Sequence, residues 1–355
     1  MFDTDVLVIG GGVVGLWTAW TLALSGKTTV VCDINDGSSV SERNSGVLHA
    51  GLYYKKDSLK ALHCVRGRVL TEEFLKKYDV PFEICGKLVI GSGPQSLDRL
   101  ETLRKNALVN GATHLEIIEH PGKLFAGVRG NAALHSKGTG VVDVSAYLRK
   151  LKFLCEEAGV IFLPGRKAAA YDGKEVFLED GKAGERIAAR HIVNAAGLYC
   201  DDVATMFGLN QYRIIPNRGE YYRLRRPLPF HKLIYPEPPG TGHAELGVHY
   251  TFHMNGEAYA GPNSIPAESK TDYTIKETAE NFHRSLSAIL DGYRLEDFAP
   301  GYSGLRPRLF EHGLPVKDFV IREKPAGVWH LLGIESPGLT SAPSLANQIA
   351  GNIDS

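Results

Sequence analysis

The chain has 355 residues, 43% of them apolar, with 40 basic and 40 acidic side chains. That length suits two domains or one large α/β unit with a sizeable core. Zero net charge without a Lys/Arg block argues against partners bound by bulk electrostatics, nucleic acid above all. Cys32, Cys64, Cys85, Cys155 and Cys200 are odd in number and include no C-x-x-C pair, which argues for a reducing compartment and against a metal site. The first apolar run begins at Val6 with no charged leader, so no signal peptide is expected. The glycines that interrupt Val6 to Leu24 argue against a transmembrane span. A cytoplasmic protein is expected, with peripheral contact to the inner membrane left open.

Val6 to Ile9 is a β-favouring apolar run that reads as a buried parallel strand. Gly10, Gly12 and Gly15 follow at once as G-x-G-x-x-G. Leu16 to Ser25 reads as a helix closed by Gly26, Lys27 to Cys32 as a second strand, and Asp33 stands at its end. Each part suits a dinucleotide. Gly10 makes the tight turn, Gly12 lets backbone approach a pyrophosphate, and Gly15 lets the helix pack on the sheet. The helix N-terminus offers N–H groups to phosphates, and Asp33 can accept from a ribose diol. Ser38 to Tyr54 is polar and Gly-punctuated, a solvated loop or a loop along a cofactor. Asp57 to Tyr78 reads as a helix.

Pro81 marks a change of style. Phe82 to Ser92 reads as a strand with a turn at Cys85-Gly86, Gln95 to Asn110 as a helix, and Leu115 to His135 as short strands. Asp143 is a candidate N-cap for a helix through Ala158. Strands are expected at Val160 to Leu163, Glu175 to Glu179 and Arg186 to Val193. The last of these ends in Asn194-Ala195-Ala196-Gly197, a second place where backbone could meet a cofactor. A helix from Asp201 to Phe207 follows. Tyr212 to Leu224, Leu246 to Met254 and Ala258 to Ala260 read as antiparallel strands and Ile275 to Leu290 as a helix. Gly301 to Arg308 brings the chain back. Val328 to Leu332 is a last strand, and a Gly/Pro loop at 333–340 precedes a helix from Ser344 onward. The division expected is a first domain of 1–80, 140–211 and 300–355, and a second of 81–139 and 212–299.

Gly10 to Asp33, Arg43-Asn44-Ser45-Gly46, Asn194 to Gly197 and Ser336-Pro337-Gly338-Leu339-Thr340 resemble the FAD-contacting segments of D-amino-acid-oxidase-type flavoproteins. Within that superfamily, RNSGVLHAGLYYKKDSLKALHC (43–64), GVVDVSAYL (140–148), RGEYYRL (218–224), LGVHYTFHMNG (246–256) and ESPGLTSAPSLA (335–346) resemble the L-2-hydroxyglutarate dehydrogenase/oxidase family. Gly304 to Leu309 departs from that family's V-R-A-Q pattern and points to a sibling group. The resemblance implies an α/β fold, with a Rossmann-like FAD-binding domain of the glutathione-reductase-2 type and an inserted antiparallel-sheet substrate domain. It implies FAD, held by Gly10, Gly12, Gly15, Asp33, Arg43, Asn44, Ser45, Gly46, Ala196, Gly197, Gly338, Leu339 and Thr340, and no metal. A small carboxylic acid is the implied substrate and a quinone, another acceptor or oxygen the electron acceptor.

Oxidising a 2-hydroxy acid requires the C2–H against the flavin, a base for the hydroxyl proton, and cationic or N–H partners for the carboxylates. His49, in the loop the family places beside the flavin, is the first candidate base. It is alternatively a loop-orienting residue or a point of covalent flavin attachment. His249 is the second, on a strand face expected to carry Thr251 and His253 as well. Arg306 is the candidate for gripping a carboxylate, against a structural Arg. Arg218, Tyr221 and Thr251 are further substrate-binding candidates. An amino-acid or amine oxidase, a glycerol-3-phosphate-type dehydrogenase and a non-catalytic flavin-binding subunit are the alternatives.

Overall fold

The computed structural model describes residues 2–35, 40–180, 184–238 and 247–354. Ser38 and Ser39 of the expected loop and Leu246 of an expected strand lie outside them. Two sheets organise the chain. The first has eight strands. Phe2–Ile9 lies parallel to Thr29–Asp33 on one side and to Gly184–Asn194 on the other, with Ile9 opposite both Cys32 and Asn194. The carboxyl ends of three strands therefore share one edge, where open α/β sheets bind their ligands. Ile161–Pro164 and Val328–Leu332 extend the parallel part.

Alternate residues of Phe2–Ile9 face opposite ways, and both faces are covered. Val6 and Val8 are buried with Leu16, Leu151 and Ile349 from helices Val13–Leu24, Val144–Glu157 and Gly338–Asp354. Leu7 and Ile9 are buried with Val203 and Phe207 at the other helix, Cys200–Met206. Trp17 Nε1–H donates to the Tyr147 hydroxyl at 2.5 Å, joining two of the covering helices. Asp143 caps its helix, accepting from Ala146 N at 2.9 Å. Ser58 caps Leu59–Lys77, accepting from Ala61 N at 3.1 Å, and Asp57, where the helix was expected to begin, lies outside it with a left-handed φ of 62°.

The second sheet has ten strands. Its spine is Tyr212–Leu224, paired antiparallel along most of its length with Phe298–Glu311. Residues 300–315 therefore belong to this sheet and not with the first, where the sequence reading put them. The pairing that runs from Tyr212 opposite Glu311 to Leu224 opposite Phe298 holds most of them there. Phe82 to Ser92 also divides. Phe82–Glu83 joins a three-stranded sheet with Val47–Leu48 and Gly140–Val142, while Lys87–Gly91 enters the second sheet between Ala132–Ser136 and Leu233–Pro236. The expected strand at 246–254 shortens to Tyr250–Phe252, and the helix at 275–290 to Ala279–Ser287. The final helix starts at Gly338 with Pro343 inside it, six residues before the start expected at Ser344. Lys167–Tyr171, Leu233–Pro236 and Val320–Glu323 are strands the pattern did not reveal. Among the described residues no helix is long and apolar enough to cross a membrane.

Candidate active site

A cavity of about 2560 Å³ runs from the carboxyl edge of the first sheet to the second sheet. That exceeds the roughly 300–1,000 Å³ of an ordinary ligand pocket. Its first half is built from turns packed back to back. Gly10 has φ +111°, and a Cβ there would sit 2.4 Å from the Ala195 carbonyl oxygen. A Cβ on Gly15 would sit 1.8 Å from the Gly10 carbonyl oxygen, so neither position accepts a side chain. Asp33 accepts from Gly11 N at 2.5 Å and from Asn35 N at 2.7 Å, which fixes its carboxylate beside the glycine turn. Ser41 Oγ accepts from Val13 N at 3.0 Å, tying the polar loop to the first helix's N-terminus. Asn44 Oδ1 accepts from Gly46 N at 2.7 Å. Arg43 lies 4.5 Å over the Tyr273 ring.

The second half carries the chemistry-bearing side chains. His49 N donates to Thr340 Oγ1 at 3.0 Å, and His49 Nε2 lies 3.2 Å from Ser336 Oγ. His249 Nδ1 lies 2.9 Å from the Gly247 carbonyl oxygen. A carbonyl only accepts, so Nδ1 carries the hydrogen and the neutral ring keeps its lone pair on Nε2. That Nε2 is buried with no hydrogen-bond partner among the described residues. The His249 ring stacks on Tyr235, 3.6 Å between centroids. Burial pushes both imidazoles down to about 3, and the Lys87 ammonium adds to the depression in each. Both are neutral near pH 7.

Arg306 stands opposite Asn217 in the long strand pair. Its guanidinium donates to Asn217 Oδ1 at 2.9 Å and to the Asn263 carbonyl at 3.1 Å. A Cβ on Gly219 would come within 2.6 Å of Arg306 Nη2, so that glycine makes room for the group. Tyr221 lines the wall and stacks on Tyr302 at 4.4 Å.

Of the expected residues, Gly10, Gly12, Asp33, Arg43, Asn44, Ser45, Ala196, Gly197, Gly338 and Leu339 line the cavity with His49, Tyr221, His249 and Arg306. Gly15, Gly46 and Thr340 stand behind the wall and hold its turns in place. Thr340 Oγ1, for instance, donates to the Val47 carbonyl at 3.3 Å. Two expectations are corrected. Arg218 is 1% exposed and bound to Glu220 at 2.8 Å and Asp272 at 2.6 Å, a buried ion-pair group and not a cavity residue. Thr251 is fully buried inside the second sheet, opposite Tyr259. The alternation that joined it to His249 fails because the regular strand starts only at Tyr250. His253 meets the Tyr302 hydroxyl at 3.1 Å.

Sequence reasoning missed Tyr53 and Tyr235 on the wall and Lys87 behind it. The one available signal was a lone charge in the apolar run of CGKLVIG. Asp201 and Asp202 bind Lys270, each at 2.7 Å. All five cysteines are buried free thiols. Among the described residues no cluster of His, Cys, Asp or Glu is placed to hold a metal ion.

These residues fit a bound FAD. Two glycine turns leave space where side chains would stand, Asp33 is fixed at the end of the second strand, and His249 lines a cavity with room for a dinucleotide and a small substrate. The family described as FAD dependent oxidoreductase (DAO) matches residues 5–351. The mitochondrial L-2-hydroxyglutarate dehydrogenase of Arabidopsis thaliana is 31% identical, over 98% of this chain and 82% of its own. The L-2-hydroxyglutarate dehydrogenase of Indibacter alkaliphilus is 30% identical over 98% of each chain. Among solved structures, the L-alpha-glycerophosphate oxidase of Mycoplasma pneumoniae superposes with a TM-score of 0.89 at 20% identity, over 99% of this chain and 95% of that one. The glycine oxidase of Geobacillus kaustophilus gives 0.82 at 18%, over 100% and 95%. At those identities the two structures show a shared fold alone. The chain belongs to the DAO family of FAD dependent oxidoreductases.

Proposed function

We propose that the chain oxidises a small 2-hydroxy acid, (S)-2-hydroxyglutarate, to the 2-oxo acid. The observation that carries the chemistry is the buried, unpartnered Nε2 of His249, a residue that lines the cavity together with Arg306. The choice of substrate is supported by the relatives named above, at 30–31% identity along nearly the whole chain. Bound FAD supplies a two-electron acceptor for the hydrogen at C2.

The chain's residues deal with the charges and the hydroxyl proton. Arg306, oriented by Asn217 and Asn263, binds a substrate carboxylate. His249 Nε2 accepts the hydroxyl proton as the C–O bond becomes a carbonyl, and Gly247 fixes the tautomer that makes this possible. The carboxylates arriving beside His249 stabilise its protonated form, which raises its basicity at the moment it is needed. His49 holds the loop at 43–51 against the last helix through Thr340 and Ser336. Tyr221 and Tyr235 exclude water from the pocket.

Anaerobic flavin reduction tests the proposal. Purified protein is mixed with (S)-2-hydroxyglutarate, lactate, glycerol 3-phosphate and a panel of amino acids, and the flavin band is followed. Fast bleaching by 2-hydroxyglutarate alone supports the reading. Bleaching by another compound and not by this one overturns the substrate assignment and leaves the family assignment standing.

A further inference from the structure

Behind the cavity wall lies a buried charge with no role in the steps above. Lys87 is 1% exposed, in the interior of the second sheet, opposite Ser136 on one neighbouring strand and Leu233 on the other. Among the described residues no carboxylate pairs with it. Its Nζ lies 4.5 Å from the centre of the Tyr53 ring and 4.7 Å from that of Tyr235. Tyr235 is also the ring that stacks on His249 at 3.6 Å. One ammonium thus touches two aromatic rings of the cavity wall, and one of them stacks on the imidazole of His249, itself a lining residue.

A buried lysine without a counter-ion is expensive to keep, and aromatic faces recover only part of that cost. The groups around Lys87 do not neutralise it. The Cys64 thiol is pushed up to about 12 by burial and stays protonated. Burial likewise raises the Tyr53, Tyr54 and Tyr235 hydroxyls. His49 and His249 are neutral, and the other cation acting on His249 is Arg306. Burial brings the Lys87 ammonium itself down to about 7, so it is charged throughout the acidic range in which an imidazole would take up a proton.

We propose that Lys87 is a positioning residue of this site. Its ammonium clamps the Tyr53 and Tyr235 rings, so that the Tyr235 stack holds His249 in place. Its charge also repels protons from His49 and His249, so that His249 is free to accept one when substrate arrives. The proposal rests on the reading of His249 as proton acceptor.

The test uses FAD-loaded enzyme carrying Lys87→Met or Lys87→Arg, with isotope-labelled histidine rings titrated by NMR. Lys87→Met raises the midpoints of both His49 and His249 by about one pH unit. It moves the acid limb of the flavin-reduction rate upward with them and lowers that rate about tenfold with little change in KM. Lys87→Arg keeps the midpoints low. Midpoints that stay in place in Lys87→Met overturn the proposal, even if activity falls. Should that variant not fold, Lys87→Gln takes its place: midpoints of both rings raised above those of the unmodified enzyme support the proposal, and unmoved midpoints overturn it. The titration requires no substrate, so a failed substrate assignment leaves this test intact.

Discussion

The imidazole of His249 lies face to face with the phenol of Tyr235, 3.6 Å between centroids and 19° between planes, while its Nδ1 is tied to the Gly247 carbonyl. Two contacts on different parts of one ring leave a single polar atom, Nε2, for chemistry. His249→Ala is expected to lower the rate constant of flavin reduction by roughly 10²–10⁴-fold, the usual contribution of a general base. Flavin content should hold, because His249 sits just before strand Tyr250–Phe252 of the second sheet, away from the glycine turns. Stopped-flow reduction checks this, and a rate within threefold of the unmodified enzyme would move the proton acceptor elsewhere, with His49→Ala the next variant to try.

Arg306→Ala is expected to raise KM by roughly 10–100-fold, the loss of charge-assisted hydrogen bonds worth about 1.5–3 kcal/mol. Arg306→Lys is not a rescue, because a point charge cannot reproduce the fork that Asn217 and Asn263 orient. Steady-state kinetics over a range of substrate concentration separates KM from kcat. Unchanged KM in Arg306→Ala would place carboxylate binding on another cation.

Arg218→Ala addresses the opposite case. Glu220 is fully buried and accepts from Arg218, Lys276 N, Glu277 N and Asn263. Removing the arginine leaves a buried carboxylate short of its cation, at a cost of about 3–5 kcal/mol. The expected outcome is a large drop in thermal midpoint. Whatever folds should keep the KM of the parent, since Arg218 does not reach the cavity.

Stability should rise with pH through two windows. His49 and His249 bind protons near 6.5 in the unfolded chain but only near 3 when folded. Between those values the unfolded state holds more protons, so acid weakens the fold. Lys87 adds a second window between about 7 folded and 10.5 unfolded. Its sign is the same, because the folded state releases its proton first. Melting curves from pH 4 to 9 test both. The slope between pH 7 and 9 should flatten in Lys87→Met, and a slope that persists would assign it to other groups.

Gly12→Val is expected to give colourless protein. The position lines the cavity at the mouth of the first helix, and a Cβ there already comes within 3.1 Å of Ser41 Oγ. The ratio of flavin to protein absorbance after purification is the measurement. Full yellow colour would overturn the role given to the glycine turn.

The cofactor half was legible in the sequence because its parts are local. Strand, glycine turn, helix and acid follow one another between Phe2 and Asp33, and each constrains the next. The substrate half was less so. Arg306 and His249 stood out as residue types, but Arg218 stayed a further candidate until Asp272 and Glu220 were seen to surround it. Partners 54 residues apart leave no periodic trace. Lys87 reads as a surface residue by type, and only the packing of three strands around it shows otherwise. Residues 300–311 were expected with the first domain for the same reason, since pairing with Tyr212–Leu224 is not written in either strand alone.

The hydrogen bond from His49 N to Thr340 Oγ1 spans 291 positions of chain. Helix Gly338–Asp354 packs against both Val13–Leu24 and Leu59–Lys77, and Gly67 meets the backbone of Thr340 so closely that a Cβ would lie 2.2 Å from its carbonyl. During synthesis the glycine turn therefore leaves the ribosome long before the segment that seals the cavity. A nascent chain carries half a cradle, open to water, until its last helix docks. Tight cofactor capture consequently waits for helix Gly338–Asp354, and cutting the chain before that helix would cost the first domain its hold on flavin although every residue of the glycine turn remained.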